Sequence, residues 1–247
     1  MDLFSSVWGI LATAIPVVIA ITSHEAAHGY VAWRLGDDTA YRLGRVTFNP
    51  FRHIDAFGTV LLPALLVLMR APFLFGWAKP VPVDFSRLRR PRRDMVLVAA
   101  AGPGVNMLLA FISGILLTLT LALFGDESGR LGALGAWIAV GLSISALINV
   151  VLAVFNMLPL PPLDGGRVAV GLLPDRLAFP LARLERWGLL IVIGVLFVIP
   201  ALAAELHYDI SPYRWVIRPV VVFALRVVET LTGAPIIRIL TEIESGI

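Results

Sequence analysis

The stretch LGALGAWIAVGLSISALINVVLAVFNMLPLPPLDGG, residues 131–166, decides the fold class. From Leu131 to Leu163 it runs for 33 residues without a charged side chain, and then it meets Asp164. A bilayer core of about 30 Å is crossed by roughly 20 helical residues, so the part before the prolines is long enough to span one. Pro159, Pro161 and Pro162 break the helical pattern, and Gly165-Gly166 let the backbone approach a neighbour closely. A lone carboxylate at the end of such a run needs something to stabilise its charge.

Composition agrees with a membrane setting. The chain has 247 residues, of which 58% are hydrophobic and 15% charged, with a mean hydropathy of +0.88, far above a soluble domain of this length. The net charge of +3 and the pI near 9.8 do not point to a nucleic-acid partner. The basic residues sit between long apolar runs, where they face anionic lipid and the cytoplasm. With no cysteine, the chain can form neither disulfides nor thiolate metal sites, so any metal must be held by His, Asp or Glu.

Working outward, the apolar segments are Leu3–Trp33, Met95–Phe124, Leu131–Leu160, Leu189–Ala204 and Val216–Leu231. The last contains Arg218, Arg226 and Glu229, so it either spans or lies in the interface. Phe57–Ala78 is apolar but interrupted by Pro63, Arg70, Pro72 and Gly76, a poor candidate for one straight crossing. RLGRVTFNP, at 42–50, has the alternation and β-branched content of a short strand. The opening Met-Asp, with no basic stretch, argues against a cleaved signal peptide. The expected fold is an all-α polytopic membrane protein with five or six transmembrane helices, a re-entrant hairpin and a short membrane-associated β element. We expect a single domain over 1–247, with a core of about 3–170 and accessory helices over 171–247.

The first apolar segment is broken by one polar island, SHEAAH at 23–28. On a helix, His24 and His28 share a face and can grip one ion, while Glu25, about 100° round from His24, flanks the same site. Isolated ionisable groups inside a membrane cost roughly 2.5–3.5 kcal/mol each on insertion scales, which disfavours a chance HExxH. A catalytic zinc site needs a third protein ligand and an open position, with the Glu moving protons. Asp37 and Asp38 lie in a polar loop beyond the helix, so Asp164 is the candidate third ligand. With Zn²⁺, ionised Asp164 and ionised Glu25 the charge sums to zero. The alternative is an Asp capping the helix that begins near Gly166.

HEAAH on one span and NMLPLPPLDGG on a later one together resemble the site-2 protease family of intramembrane zinc metalloproteases, whose patterns are HExxH and NxxPxxxxDG. NPFRHIDAFGT at 49–59, GWAKPVPVD at 76–84 and AAGPGVN at 100–106 look like segments of the small bacterial branch, so the likeness covers about residues 15 to 170. Neither a PDZ module nor a nucleotide-binding module is recognisable. The resemblance implies His24, His28 and Asp164 as Zn²⁺ ligands, Glu25 as general base and Asn156 near the substrate. It also implies an enzyme of the bacterial cytoplasmic membrane that cleaves membrane-protein substrates within or near their transmembrane segments, in regulated proteolysis within the lipid bilayer.

Other polar residues carry weaker signals. Asn106 is a second candidate substrate contact or a link between helices. His53 reads as structural, His207 as solvated, and the run RLRRPRR at 87–93 as an orientation signal facing anionic lipid. A metal transporter would use similar ligands but would spread ionisable groups along a path, whereas here they converge. If His24, His28 and Asp164 bind one ion, their spans end on one face, and Phe57–Ala78 should make no net crossing. Arg34–Arg52 has four Arg and Lys79–Arg93 six basic residues, against Arg130 alone on the other side, which makes the first side cytoplasmic.

Overall fold

A computed structural model describes residues 7–69, 76–126 and 130–245. Its helices are α1 (Val7–Leu35), α2 (Thr39–Arg42), α3 (Leu62–Leu68), α4 (Pro91–Phe124), α5 (Ala133–Asn156), α6 (Asp164–Leu172), α7 (Asp175–Arg183), α8 (Glu185–Ile193), α9 (Ile199–Glu205), α10 (Arg218–Thr232) and α11 (Ile236–Ser245). A π-helical turn at Gly194–Val198 joins α8 to α9, making Glu185–Glu205 one rod.

Four of these are long and apolar enough to cross a membrane: Val7–Leu35, Pro91–Phe124, Ala133–Asn156 and Glu185–Glu205. The expected five or six therefore becomes four among the described residues. The difference falls on two segments. Helix α10, with the π-helical turn at Tyr213–Ile217 that leads into it, is long enough but carries Arg214, Arg218, Arg226 and Glu229, more charge than a crossing helix holds. The other, at 57–78, does not run straight through. Trp77 donates its N–H to Gly58 O at 3.1 Å, Lys79 donates to His53 O at 2.8 Å, and Thr59 Oγ1 donates to Trp77 O at 2.8 Å. The chain at 77–79 is thus back beside 53–59, where it left. The breaks expected at Arg70 and Pro72 lie outside the described residues.

No β-sheet forms among the described residues. The strand expected at 42–50 is instead the end of α2 followed by a bent loop. A strand needs a partner ladder, and here the groups that would pair are used otherwise. Arg45 N–H donates to Ala40 O, and Thr47 O accepts from His53 Nε2 at 3.0 Å.

Helices α1, α4 and α5 pack together as the centre of the molecule. Trp137 Nε1 of α5 donates to Trp8 O of α1 at 2.8 Å, so these two helices begin at the same end. Arg89 N–H, just before α4, donates to Leu35 O at the close of α1, so α4 runs the opposite way. The inner face of α1 is a ladder of small residues that includes Gly9, Ala12, Ala20, Gly29 and Ala32, and that of α5 includes Gly135, Ala139, Ser143, Ala146 and Ala153. Lipid tails provide no hydrophobic force for helix association, and small residues let backbones approach for dispersion contact instead. The outer faces of α1 and α4 leave large apolar side chains exposed, among them Ile15, Val18, Ile19, Leu108, Ile112 and Ile115. Such a surface suits lipid and not water. The protein is a multi-pass membrane protein.

Candidate metal centre

His24 and His28 lie on consecutive turns of α1 and both are buried. Their Nε2 atoms are 3.0 Å apart. Asp164, the first residue of α6, places Oδ2 at 3.2 Å from His24 Nε2 and 3.3 Å from His28 Nε2. The expected three ligands therefore converge, with one atom from each within 4.8 Å of the others. Atoms about 2.0–2.1 Å from one tetrahedral ion stand about 3.3 Å apart, close to these separations.

The donor set fits a cation for a stronger reason than distance. His28 Nδ1 is 2.7 Å from Val98 O, a carbonyl that can only accept, so Nδ1 carries the ring hydrogen and Nε2 a lone pair. His24 Nδ1 is 2.6 Å from Asn106 Oδ1, with the same consequence. Asp164 Oδ2 is buried and accepts no hydrogen bond among the described residues. With both imidazoles neutral, three lone-pair-bearing atoms thus face one another at the distance of a hydrogen bond with no hydrogen between them. A shared positive ion removes that repulsion.

Local sequence explains the placement. The loop 157–163 folds tightly onto the start of α6. A Cβ on Gly165 would lie 2.2 Å from Met157 O, and one on Gly166 would lie 2.2 Å from Pro161 N. Both glycines are therefore required where α6 begins. Gly102 of α4 faces the histidines, and a Cβ there would be 2.4 Å from His28 Nε2 and 2.6 Å from His24 Nε2.

Glu25 is half-buried beside this group, and its Oε2 accepts the N–H of Val81 at 2.7 Å. The extended segment carrying Val81 is pinned by Arg45, a buried guanidinium that donates to Lys79 O at 2.7 Å, and by Asp37, whose Oδ2 accepts Asp84 N–H at 2.7 Å.

Asn106, expected as a substrate contact or a link between helices, is fully buried, with its amide engaged by His24, Ala20 O and Asn149. These bonds favour the link between helices and place Asn106 behind His24. Asn156 closes α5 and donates Nδ2 to Leu152 O at 3.0 Å. It lies seven residues beyond Asn149, hence on the same helix face. His53 is buried in the loop and outside the ligand group, and His207 is exposed. Sequence reasoning missed Asn149, the Val81 N–H, Arg45 and the clearance at Gly102. Of these, only Asn149 had a visible signal, as an amide inside an uncharged span.

The sequence model of peptidase family M50 matches residues 132–199. "Putative zinc metalloprotease YwhC" of Bacillus subtilis (strain 168) is 42% identical over 186 residues, covering 75% of this chain and 80% of its own length. The chain belongs to peptidase family M50, the site-2 protease family. Two relatives named "Putative zinc metalloprotease Rip2", from Mycolicibacterium smegmatis and Mycobacterium tuberculosis (strain H37Rv), are 31% and 30% identical, each match covering 75% of this chain and 66% of the relative. No solved structure matches the chain. As a member of M50, this chain is a zinc metalloprotease, and its His–His–Asp group has the chemistry that zinc requires.

Proposed function

We propose that this protein is a single-domain protease of the bacterial cytoplasmic membrane that hydrolyses peptide bonds within or near the transmembrane segments of membrane-protein substrates, in regulated intramembrane proteolysis. The observation that carries this reading is the convergence of His24 Nε2, His28 Nε2 and Asp164 Oδ2 inside the packed spans. His28 and His24 are seven and eleven residues from the end of α1 at Leu35, about 10 and 16 Å of helix, which is a depth inside the bilayer. The basic loops then lie on the cytoplasmic side and the chain at 57–78 dips in and returns.

In this reading His24, His28 and Asp164 hold the ion and leave one position open. Bound zinc would supply Lewis acidity to the carbonyl under attack and to the attacking water. Glu25 is the general base. Its Oε2 is held by Val81 N–H, which leaves the other oxygen to take a proton from the water and return it to the leaving amine. A helical peptide bond is shielded by its own hydrogen bonds, so the substrate must be drawn out locally. Asn156, with Nδ2 bonded within its own helix, offers Oδ1 to accept an N–H of that extended stretch.

The test is Glu25→Gln, with zinc content by elemental analysis beside cleavage of a membrane-peptide substrate. Loss of activity of about 10²-fold or more with zinc retained is expected, because general base catalysis contributes typically 10²–10⁴-fold. Loss of zinc in that variant would contradict the assignment of roles.

A further inference from the structure

The polar seam behind the metal ligands continues one helix further than ligation requires. His24 Nδ1 meets Asn106 Oδ1 at 2.6 Å, and Asn106 Nδ2 donates to Asn149 Oδ1 at 2.8 Å and to Ala20 O at 3.2 Å. Asn149 Nδ2 donates in turn to Ser145 O at 2.9 Å. Asn106 is 0% exposed and Asn149 1%, so no water competes for these bonds.

An amide side chain has one accepting and one donating end, and a neighbour that can play only one part decides which way it points. Backbone carbonyls only accept. Ser145 O therefore holds the Asn149 amide with its Oδ1 toward Asn106. That oxygen and Ala20 O hold the Asn106 amide with its own Oδ1 toward His24. His24 Nδ1 must then carry the ring hydrogen, and Nε2 keeps its lone pair. A reversed Asn106 amide would offer N–H to His24 Nδ1, drive the hydrogen to Nε2 and remove a ligand. The shorter of the two bonds preventing reversal is the one to Asn149.

We propose that Asn149 is a positioning residue of the zinc site, which acts through Asn106 to set the tautomer of His24 in which Nε2 binds metal. The proposal rests on the reading of His24 as a zinc ligand, and it extends the site from α1 and α6 across α4 to α5.

The test uses the full chain in detergent, with zinc affinity measured by chelator competition and the His24 tautomer measured by ¹⁵N NMR of the metal-free protein. Asn149→Leu should weaken zinc binding about 10-fold, the lower end of the range for changes behind a ligand, and should populate the Nε2–H tautomer. Asn149→Asp keeps an acceptor for Asn106 Nδ2 and should restore affinity. In an Asn106→Leu background, Asn149→Leu should cost nothing further, because its effect passes through Asn106. If Asn149→Leu does not yield folded protein, Asn149→Ser, too short to reach Asn106, replaces it. Unchanged affinity and tautomer, or additive losses in the double variant, would overturn the proposal. His24→Ala separates the two levels. If it keeps full zinc, the ligand reading fails and the proposal with it; if it loses zinc while Asn149→Leu does not, the proposal alone fails.

Discussion

Helices α4 and α5 are packed differently on their two flanks. Toward α1 they meet it through buried polar groups, with Asn106, Gly102 and the Val98 carbonyl turned to the histidines and Asn149 bonded behind Asn106. Toward α10 and α11 they meet an apolar cluster that includes Leu117, Val150, Val221, Leu225, Val228 and Ile236. The same two helices thus serve as the wall of a site and as a packing surface. The first flank leaves no room for a Cβ at Gly102, which would press on both histidines of the candidate site. The second needs only volume and shape.

The largest effect that would sharpen this contrast is at Gly102. Gly102→Ala puts a Cβ within 2.4 Å of His28 Nε2, so zinc affinity should fall by more than about 100-fold, beyond the usual 10–100-fold for changes behind a ligand. Isothermal titration of the metal-free protein decides it, and full affinity would mean that the polar flank has more room than described. On the other flank, Leu225→Ala removes a side chain that is 3% exposed and should cost about 2–4 kcal/mol of stability. Denaturant unfolding of the metal-free protein measures this, while the zinc affinity of the folded protein stays unchanged. A parallel loss of affinity would show that the flanks are coupled.

The smallest perturbation tests which way the polar flank faces. The chain has no cysteine, so single cysteines at Arg42, Ser86 and Gly132, all exposed, report sidedness with an impermeant thiol reagent on intact cells. Labelling at 132 alone is expected. Labelling at 86 as well would mean that 57–78 crosses the bilayer and that the return of Trp77 to Gly58 does not describe the embedded protein.

Much of the site was readable before any coordinates. HEAAH places two imidazoles and a carboxylate by local helix periodicity, which needs only spacing. Asp164 was readable because a charge ending an uncharged span is costly, and a metal is the partner that the available residue types allow. The β element at 42–50 was misread because alternation suggests a strand but cannot supply the second one. Asn106 stayed open between a substrate contact and a link between helices because an amide inside a span looks the same from sequence in either role; its bonds to His24, Ala20 and Asn149 favour the link.

The sequence by itself determined the membrane setting, the four spans and the candidate ligands, since these depend on length, hydropathy and local spacing along one chain. Only the tertiary structure decided which nitrogen of each histidine is free, why position 102 must be glycine, and what holds Glu25. Each of those depends on atoms brought together from helices α1, α4, α5 and α6 and the 76–84 segment, from Ala20 and Asn106, 86 residues apart, to the still more distant His24 and Asp164. No local pattern encodes such a meeting, because it is set by how closely small-residue faces let the helices approach.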